Sequence, residues 1–381
     1  MKRIGFVLVA SILLLAPLAA QDIPLSGFAP KDARVLGMGG AFTAVSEGFS
    51  SLYGNPAGFA APKGELTILA PTSWLYIRPT SDNIDLLRSA AADDGATVDA
   101  LETLLTDNGL GGGANLGIGY VGKGFGIGAF VTADAYAAGN TLAGAVMDVD
   151  LQFNAVIGMA RTVKLFGLGL TLGGNLRPFY RAVGDIPLSE VVGAMMGDED
   201  PGDVFLSKEM ISGFGLAADL GASLELGTFK LGLAVRDIAP SFQAYRNTVG
   251  NLADSGFVTS SGTPAGSFAL TPNVVLGASW HPALGAFSRI LDPRFLLEIQ
   301  DPLAVIRDRA SFWNLVHAGI EVEALGFLAI RAGVNKGWLS AGLGLDLFFL
   351  EIDAAVFTEE LGWRPGQNGR SGVALQAAIR L

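Results

Sequence analysis

Cysteine is absent from all 381 residues. That excludes a disulfide framework and lipoprotein anchoring through an N-terminal cysteine. Histidine is nearly absent, with two residues, and only 16% of the chain is charged, against about a quarter in a typical soluble domain. An excess of basic residues is missing too: Lys2 and Arg3 lie in the leader described next, so 23 basic residues face 36 acidic ones. No basic patch marks nucleic acid as a partner. After residue 20, no apolar run long enough for a spanning helix, about eighteen residues, can be found. Yet the chain is 50% hydrophobic and carries 52 glycines.

The N-terminus reads as an export signal. Lys2 and Arg3 form a basic start, Ile4 to Leu15 an apolar run, and Ala16 to Ala20 a small-residue end, so residues 1–20 are expected to be removed before Gln21. A hydrophobic exported chain without spanning helices has one common physical resolution. Lipid offers no hydrogen-bond partners to the backbone, so a closed β-barrel replaces the helices.

Such a barrel demands two-residue alternation, apolar toward lipid and mixed toward the lumen. In 216–226, Leu216, Ala218, Leu220, Ala222, Leu224 and Leu226 share one face, and Asp219, Ser223 and Glu225 the other. In 148–160, Val149, Leu151, Phe153, Ala155 and Ile157 oppose Asp150, Gln152 and Asn154. Fourteen strands are predicted this way, near 65–77, 114–122, 124–136, 148–160, 163–180, 213–226, 228–238, 272–280, 293–301, 314–324, 326–334, 337–345, 347–357 and 371–381. Short turns alternate with long connections, notably 78–113, 181–212 and 239–271, as short inner turns and long outer loops do in outer-membrane barrels. The connections 281–292 and 335–336 fit that rule less well. A soluble β-sandwich is the alternative, but it does not need apolar residues along nearly every strand at so low a charge. Within 78–113, Ile84, Leu87, Val98, Leu101, Leu104 and Leu105 recur at helical spacing, and "GDEDPGD" in 181–212 reads as a solvated turn.

Signals of chemistry are weak. "GIGYVG" at 117–122 matches a dinucleotide fingerprint, but a second glycine-rich strand follows where the fingerprint needs a helix. Close approach of backbone or ligand explains the glycines better. His281 precedes Pro282 in a connection, and His317 shares a strand face with Glu321 and Glu323. No catalytic residue, metal site or cofactor is expected. Alternation points Arg177, Arg236, Arg331 and Arg380 into the lumen, together with Asp150, Asp219, Glu225, Glu298, Glu321, Glu323, Glu351 and Asp353. These groups suit ion pairs that stiffen the barrel. The sharper alternative makes one of the four arginines the partner of an anionic headgroup, whose oxygens match the planar fork, and the sequence does not choose among them.

One segment fits no strand: "ARVLGMGGAFTAVSEGFSSLYGNPAGFAAP" at 33–62. A fourteen-stranded barrel encloses more space than its own side chains fill, so 21–62 is expected inside it as a plug. Phe28, Leu36, Met38, Phe42, Val45, Phe49, Leu52, Tyr53 and Phe59 would give it an apolar surface. Arg34, the "LGMGGAF" that follows, and the "LYGNPAG" ending make this stretch resemble the N-terminal hatch of the FadL family. Those proteins are outer-membrane transporters of long-chain fatty acids and other hydrophobic compounds. Asn55, Pro56, Ala57 and Gly58 match its Asn-Pro-Ala hatch motif, and 342–362 also resembles FadL-like chains.

The resemblance implies an all-β, transmembrane antiparallel barrel of about fourteen strands (63–381) with a hatch (21–62) in its lumen, in the bacterial outer membrane. It also implies uptake of a long-chain fatty acid or similar hydrophobic ligand through a side opening, among outer-membrane lipid. PorV-type scaffolds, which serve protein secretion, share nearly the same stretch, so a non-transporting protein that docks protein partners is the alternative. A water-filled porin and an outer-membrane enzyme fit less well. The chain ends in Leu381 rather than an aromatic residue, though in the correct outward phase.

Overall fold

The computed structural model describes residues 31–92, 97–165, 167–196, 200–268 and 271–381. The expected leader, residues 21–30 with Phe28, and part of "GDEDPGD" lie outside the described residues. Among the described residues fifteen strands form: β1 Glu65–Tyr76, β2 Leu110–Gly122, β3 Phe125–Ala138, β4 Val146–Leu165, β5 Leu168–Pro187, β6 Glu209–Leu226, β7 Phe229–Thr248, β8 Thr263–Phe268, β9 Asn273–Trp280, β10 Leu291–Gln300, β11 Val316–Ala324, β12 Leu328–Asn335, β13 Trp338–Leu347, β14 Leu350–Glu360 and β15 Gly369–Arg380. Each pairs antiparallel with its neighbour, and β1 closes onto β15, with Leu75 opposite Val373 and Ser73 opposite Leu375. β8 pairs only with the loop-side half of β7, whose other half pairs with β9. The ring is therefore a closed barrel of fourteen strands, and β8 is a flap on its rim.

Physical chemistry selects this closure. Ile157, Leu176, Leu220, Leu297, Leu343 and Leu375 all point outward and are exposed, which is stable only against lipid. Among the described residues, no helix is long and apolar enough to cross a membrane. Ring closure leaves no open strand edge in that apolar surrounding.

β1 starts and β15 ends at the same end of the barrel, with the tight connections between β2 and β3, β4 and β5, β6 and β7, β11 and β12, and β13 and β14. The opposite end carries the long connections. The two connections that fitted poorly have local causes. Lys336 and Gly337 both take positive φ, 50° and 91°, the two-residue hairpin geometry that lets a loop-end connection be tight. Residues 281–290 are extended by a short helical turn, Gly285–Arg289.

All fourteen expected strands are present, but β4, β6 and β7 run further than their alternation suggested, to 18–20 residues, and β5 starts and ends later, at Leu168–Pro187. The loops consequently narrow to 188–208 and 249–272. The reason is a second layer. Beyond the lipid band, the outward faces of Tyr180, Ala182 and Met210 are buried under Leu252, and Phe257 packs 6.2 Å from the Tyr180 ring. A strand covered on both faces loses its two-residue signature. In the connection after β1, helices Ser81–Ala92 and Thr97–Asn108 form as their spacing predicts, and Leu104 and Leu105 are buried.

Candidate functional site

Residues 32–62 lie inside the ring and touch nearly every strand. The segment is built of short helical turns: Ala33–Gly37, Thr43–Val45, Gly48–Leu52 and Pro56–Ala60. Six glycines from Gly37 to Gly58 disfavour anything longer. Met38, Phe42, Val45, Phe49, Leu52, Tyr53 and Phe59 are buried in one cluster with wall residues Phe130, Val156 and Leu296. Phe49 and Tyr53 meet Phe130 edge-on, with centroids 6.3 and 6.0 Å apart. Leu36 belongs to a second cluster with Trp74, Tyr76 and Phe357.

The wall accommodates the segment through glycine. Gly117 and Gly119 on β2 and Gly126 and Gly128 on β3 face Phe49, Leu52 and Phe59. Gly158, Gly173, Gly221, Gly232, Gly277, Gly319, Gly333 and Gly342 continue this girdle on eight further strands. A Cβ on Gly232 would stand 2.8 Å from the Thr43 carbonyl and 2.9 Å from Ala44, and one on Gly277 3.0 Å from the Ala44 amide. What approaches the glycines of "GIGYVG" is thus the chain's own N-terminal segment.

Asn55 is the centre of the Asn-Pro-Ala turn. Its Oδ1 accepts from the Ala57 amide at 3.0 Å, capping the turn that Pro56 begins. Its Nδ2 donates to the Thr43 carbonyl at 3.2 Å and to the wall carbonyl of Ala222 at 3.1 Å. Pro56 packs over Gly173 and Gly221, and Gly58 against Ser46 and Ser51. One residue therefore joins two turns of the segment to β6, with three of its side chain's four hydrogen-bonding capacities in use.

Further ties hold the segment to the wall, among them the Ala33 amide on Gln376 and the Phe49 amide on Glu65, both at 3.0 Å. Glu298 on β10 accepts from the amides of Phe42 (2.9 Å) and Thr43 (2.7 Å). Arg34 donates twice to Glu321 on β11, both at 2.8 Å, and Arg331 donates to the same carboxylate at 2.7 Å. His317 Nδ1 donates to the Gly39 carbonyl at 2.8 Å. Within the segment, Tyr53 donates to Asp32 at 2.6 Å.

All four candidate arginines point into the lumen, and each meets a different partner set. Arg177 is buried among Asn154, Asp219 and Asp237. Arg331 bridges Glu321 and Asp353. Arg380 pairs with Glu351 and lies 3.9 Å from Glu65. Arg236 donates to the Tyr53 carbonyl at 3.2 Å, its Nε is buried without a partner, and no described carboxylate lies within ion-pairing distance. Of the acidic positions, Glu225 and Glu323 sit near the turn-end mouth, and Asp150 pairs with Arg181. His281 lies in a turn against Asp292. Alternation alone could not reveal Asp237, whose positive φ of 58° breaks the strand pattern and turns its carboxylate inward.

Two cavities flank the segment at the turn end. One of about 310 Å³ is walled by Arg34, Arg331, Arg380, Glu321, Glu351 and Asp353. The other, about 930 Å³, opens at the mouth between Ala57, Gly58, Lys63, Glu65, Phe348 and Leu381.

No family model matches the chain, and no curated protein matches it in sequence. Among solved structures it is similar to the monoaromatic hydrocarbon channel TodX in a deltaS2S3 mutant, at 12% identity over 92% of this chain and 98% of that one, with a TM-score of 0.48. The Pseudomonas putida toluene transporter TodX is similar at 13% identity over 95% and 99%, with a TM-score of 0.46. The outer membrane phospholipase A of Escherichia coli follows at 12% identity over 82% and 89%, with a TM-score of 0.27. The barrel assignment stands on the strand pairing itself.

Proposed function

We propose that the chain is an outer-membrane channel for hydrophobic or amphiphilic compounds, with residues 21–62 acting as a hatch. One observation carries this reading. The contact between the N-terminal segment and the wall is apolar at its centre and fastened around it by separate polar ties to individual strands. Shifting 42–58 would expose Phe42, Phe49, Leu52 and Phe59 to the lumen. That lining welcomes an acyl or aryl solute, at roughly 0.8 kcal/mol per buried methylene, and repels small hydrated ones. Release sideways into the membrane is the route such a solute favours. The long loops then face outward and the tight turns the periplasm.

Fatty acids are one such solute. Arg236 is the candidate partner for a carboxylate, because its guanidinium keeps a buried nitrogen unpartnered beside Tyr53. A ligand carboxylate at Arg177, Arg331 or Arg380 would have to displace a protein carboxylate.

The test is mass spectrometry of lipids extracted from protein purified in mild detergent, beside a variant lacking residues 21–60. A stoichiometric hydrophobic ligand, reduced in the deletion, supports the channel. An empty barrel in both, with a protein partner retained, would replace it by a docking scaffold. In Arg236→Gln, retained fatty acid should fall while a neutral hydrocarbon binds as before.

A further inference from the structure

At the loop end, the connections 301–315 and 361–368 pack together over the hairpin between β12 and β13. The Ser311 amide donates to the Trp363 carbonyl at 3.4 Å and Asn314 Nδ2 to the Gly362 carbonyl at 2.9 Å. A Cβ on Gly337 would lie 3.1 Å from Pro365. The outer surface of this assembly is greasy: Ile306 is 84% exposed, Trp313 66% and Trp363 63%. It continues into the lipid-facing band through Leu339, 78% exposed on β13 just beyond that hairpin.

Three arginines stand in these two connections. Arg307 is matched by Asp301 and Asp308. Arg309 and Arg364 are exposed, and no described carboxylate lies within ion-pairing distance of either. In a chain of net charge −11, two unmatched arginines beside exposed tryptophans run against the overall balance. Indole rings favour the boundary between hydrocarbon and water, and guanidinium forks favour phosphate.

We propose that this rim seats the phosphorylated headgroup of a lipid in the leaflet surrounding the loop end, with Arg309 and Arg364 on phosphate and Trp313 and Trp363 at the acyl boundary. The proposal rests on the outward orientation of the loops argued above and is independent of what the lumen carries.

The experiment is native mass spectrometry of the detergent-purified protein with lipid A, a bisphosphorylated acyl glucosamine disaccharide, and with its dephosphorylated form. Wild type should retain lipid A and not the dephosphorylated lipid. Arg309→Gln/Arg364→Gln should retain it about thirtyfold more weakly, each cation near a headgroup surface contributing about fivefold. Heat-modifiable electrophoretic mobility checks that the barrel is intact. Equal retention by the double variant, or equal retention of both lipids, overturns the proposal. So does a Trp313→Ser/Trp363→Ser variant that keeps lipid A and loses only self-association, since the patch then joins copies of the chain. Orientation is read separately: a single cysteine at Asn140, in another loop-end connection, should be labelled by an impermeant reagent on intact cells. Failure of that labelling removes the outward orientation of the loop end, and the proposal with it. Failure of lipid retention alone leaves the channel reading standing.

Discussion

Asn55 and Glu298 show how single side chains each fix more than one point of the N-terminal segment. Replacing Asn55 by Ala removes a cap and two bonds to carbonyls, one on the wall, at a cost of about 1–3 kcal/mol for the groups left unpaired. The barrel should still fold and keep its heat-modifiable mobility, while uptake of a hydrophobic tracer falls. Normal uptake would remove Asn55 from the mechanism. Glu298→Ala leaves the Phe42 and Thr43 amides without their acceptor. Their hydrogen exchange should quicken by at least about tenfold while that of the neighbouring β10 amides stays unchanged. The Asn-Pro-Ala turn was legible through its resemblance to a known hatch. Glu298 was legible only as an inward carboxylate, because its partners lie some 255 residues away in sequence.

Among the elements, the inward glycines make the wall a socket. Gly232→Leu forces atoms into the space held by Thr43 and Ala44, so the segment must move while the β6–β7 and β7–β9 ladders stay paired. Protease cleavage within 40–60 should appear in the folded variant. Protection equal to wild type would show that the wall yields instead. The outward face makes the opposite demand. Leu220→Arg places a cation in lipid at a cost of about 2–4 kcal/mol near the membrane midplane, and should lower the denaturant midpoint of refolding into bilayers. The extra length of β4, β6 and β7 and the later end of β5 escaped periodicity because residues 249–262 cover those faces, and sequence separation hides such a cover.

For the whole molecule, closure makes the segment inside it consequential. With residues 32–62 in place, Phe49, Leu52, Tyr53 and Phe59 are packed against the lumen wall at Phe130 and Val156. Deleting 21–62 should convert a barrier into an aqueous pore, read as a large rise in single-channel ion conductance in planar bilayers. The barrel's electrophoretic mobility should persist, because its ladder bonds are independent of the segment. Unchanged conductance would mean that the wall collapses inward or that loops seal the other end.

The sequence by itself determined the fourteen strands of the ring and, where alternation was strict, as in 148–160 and 216–226, their lipid-facing phase. Each follows from a two-residue period that every lipid-spanning strand must obey locally. It also marked 33–62 as a segment apart, through composition and resemblance. Only the tertiary structure decided which carboxylate meets which arginine, which glycines receive which turns, and that loop residues sheathe the tall strands. Those are contacts between positions far apart in the chain. They depend on register and closure, which the alternation of a single strand does not contain.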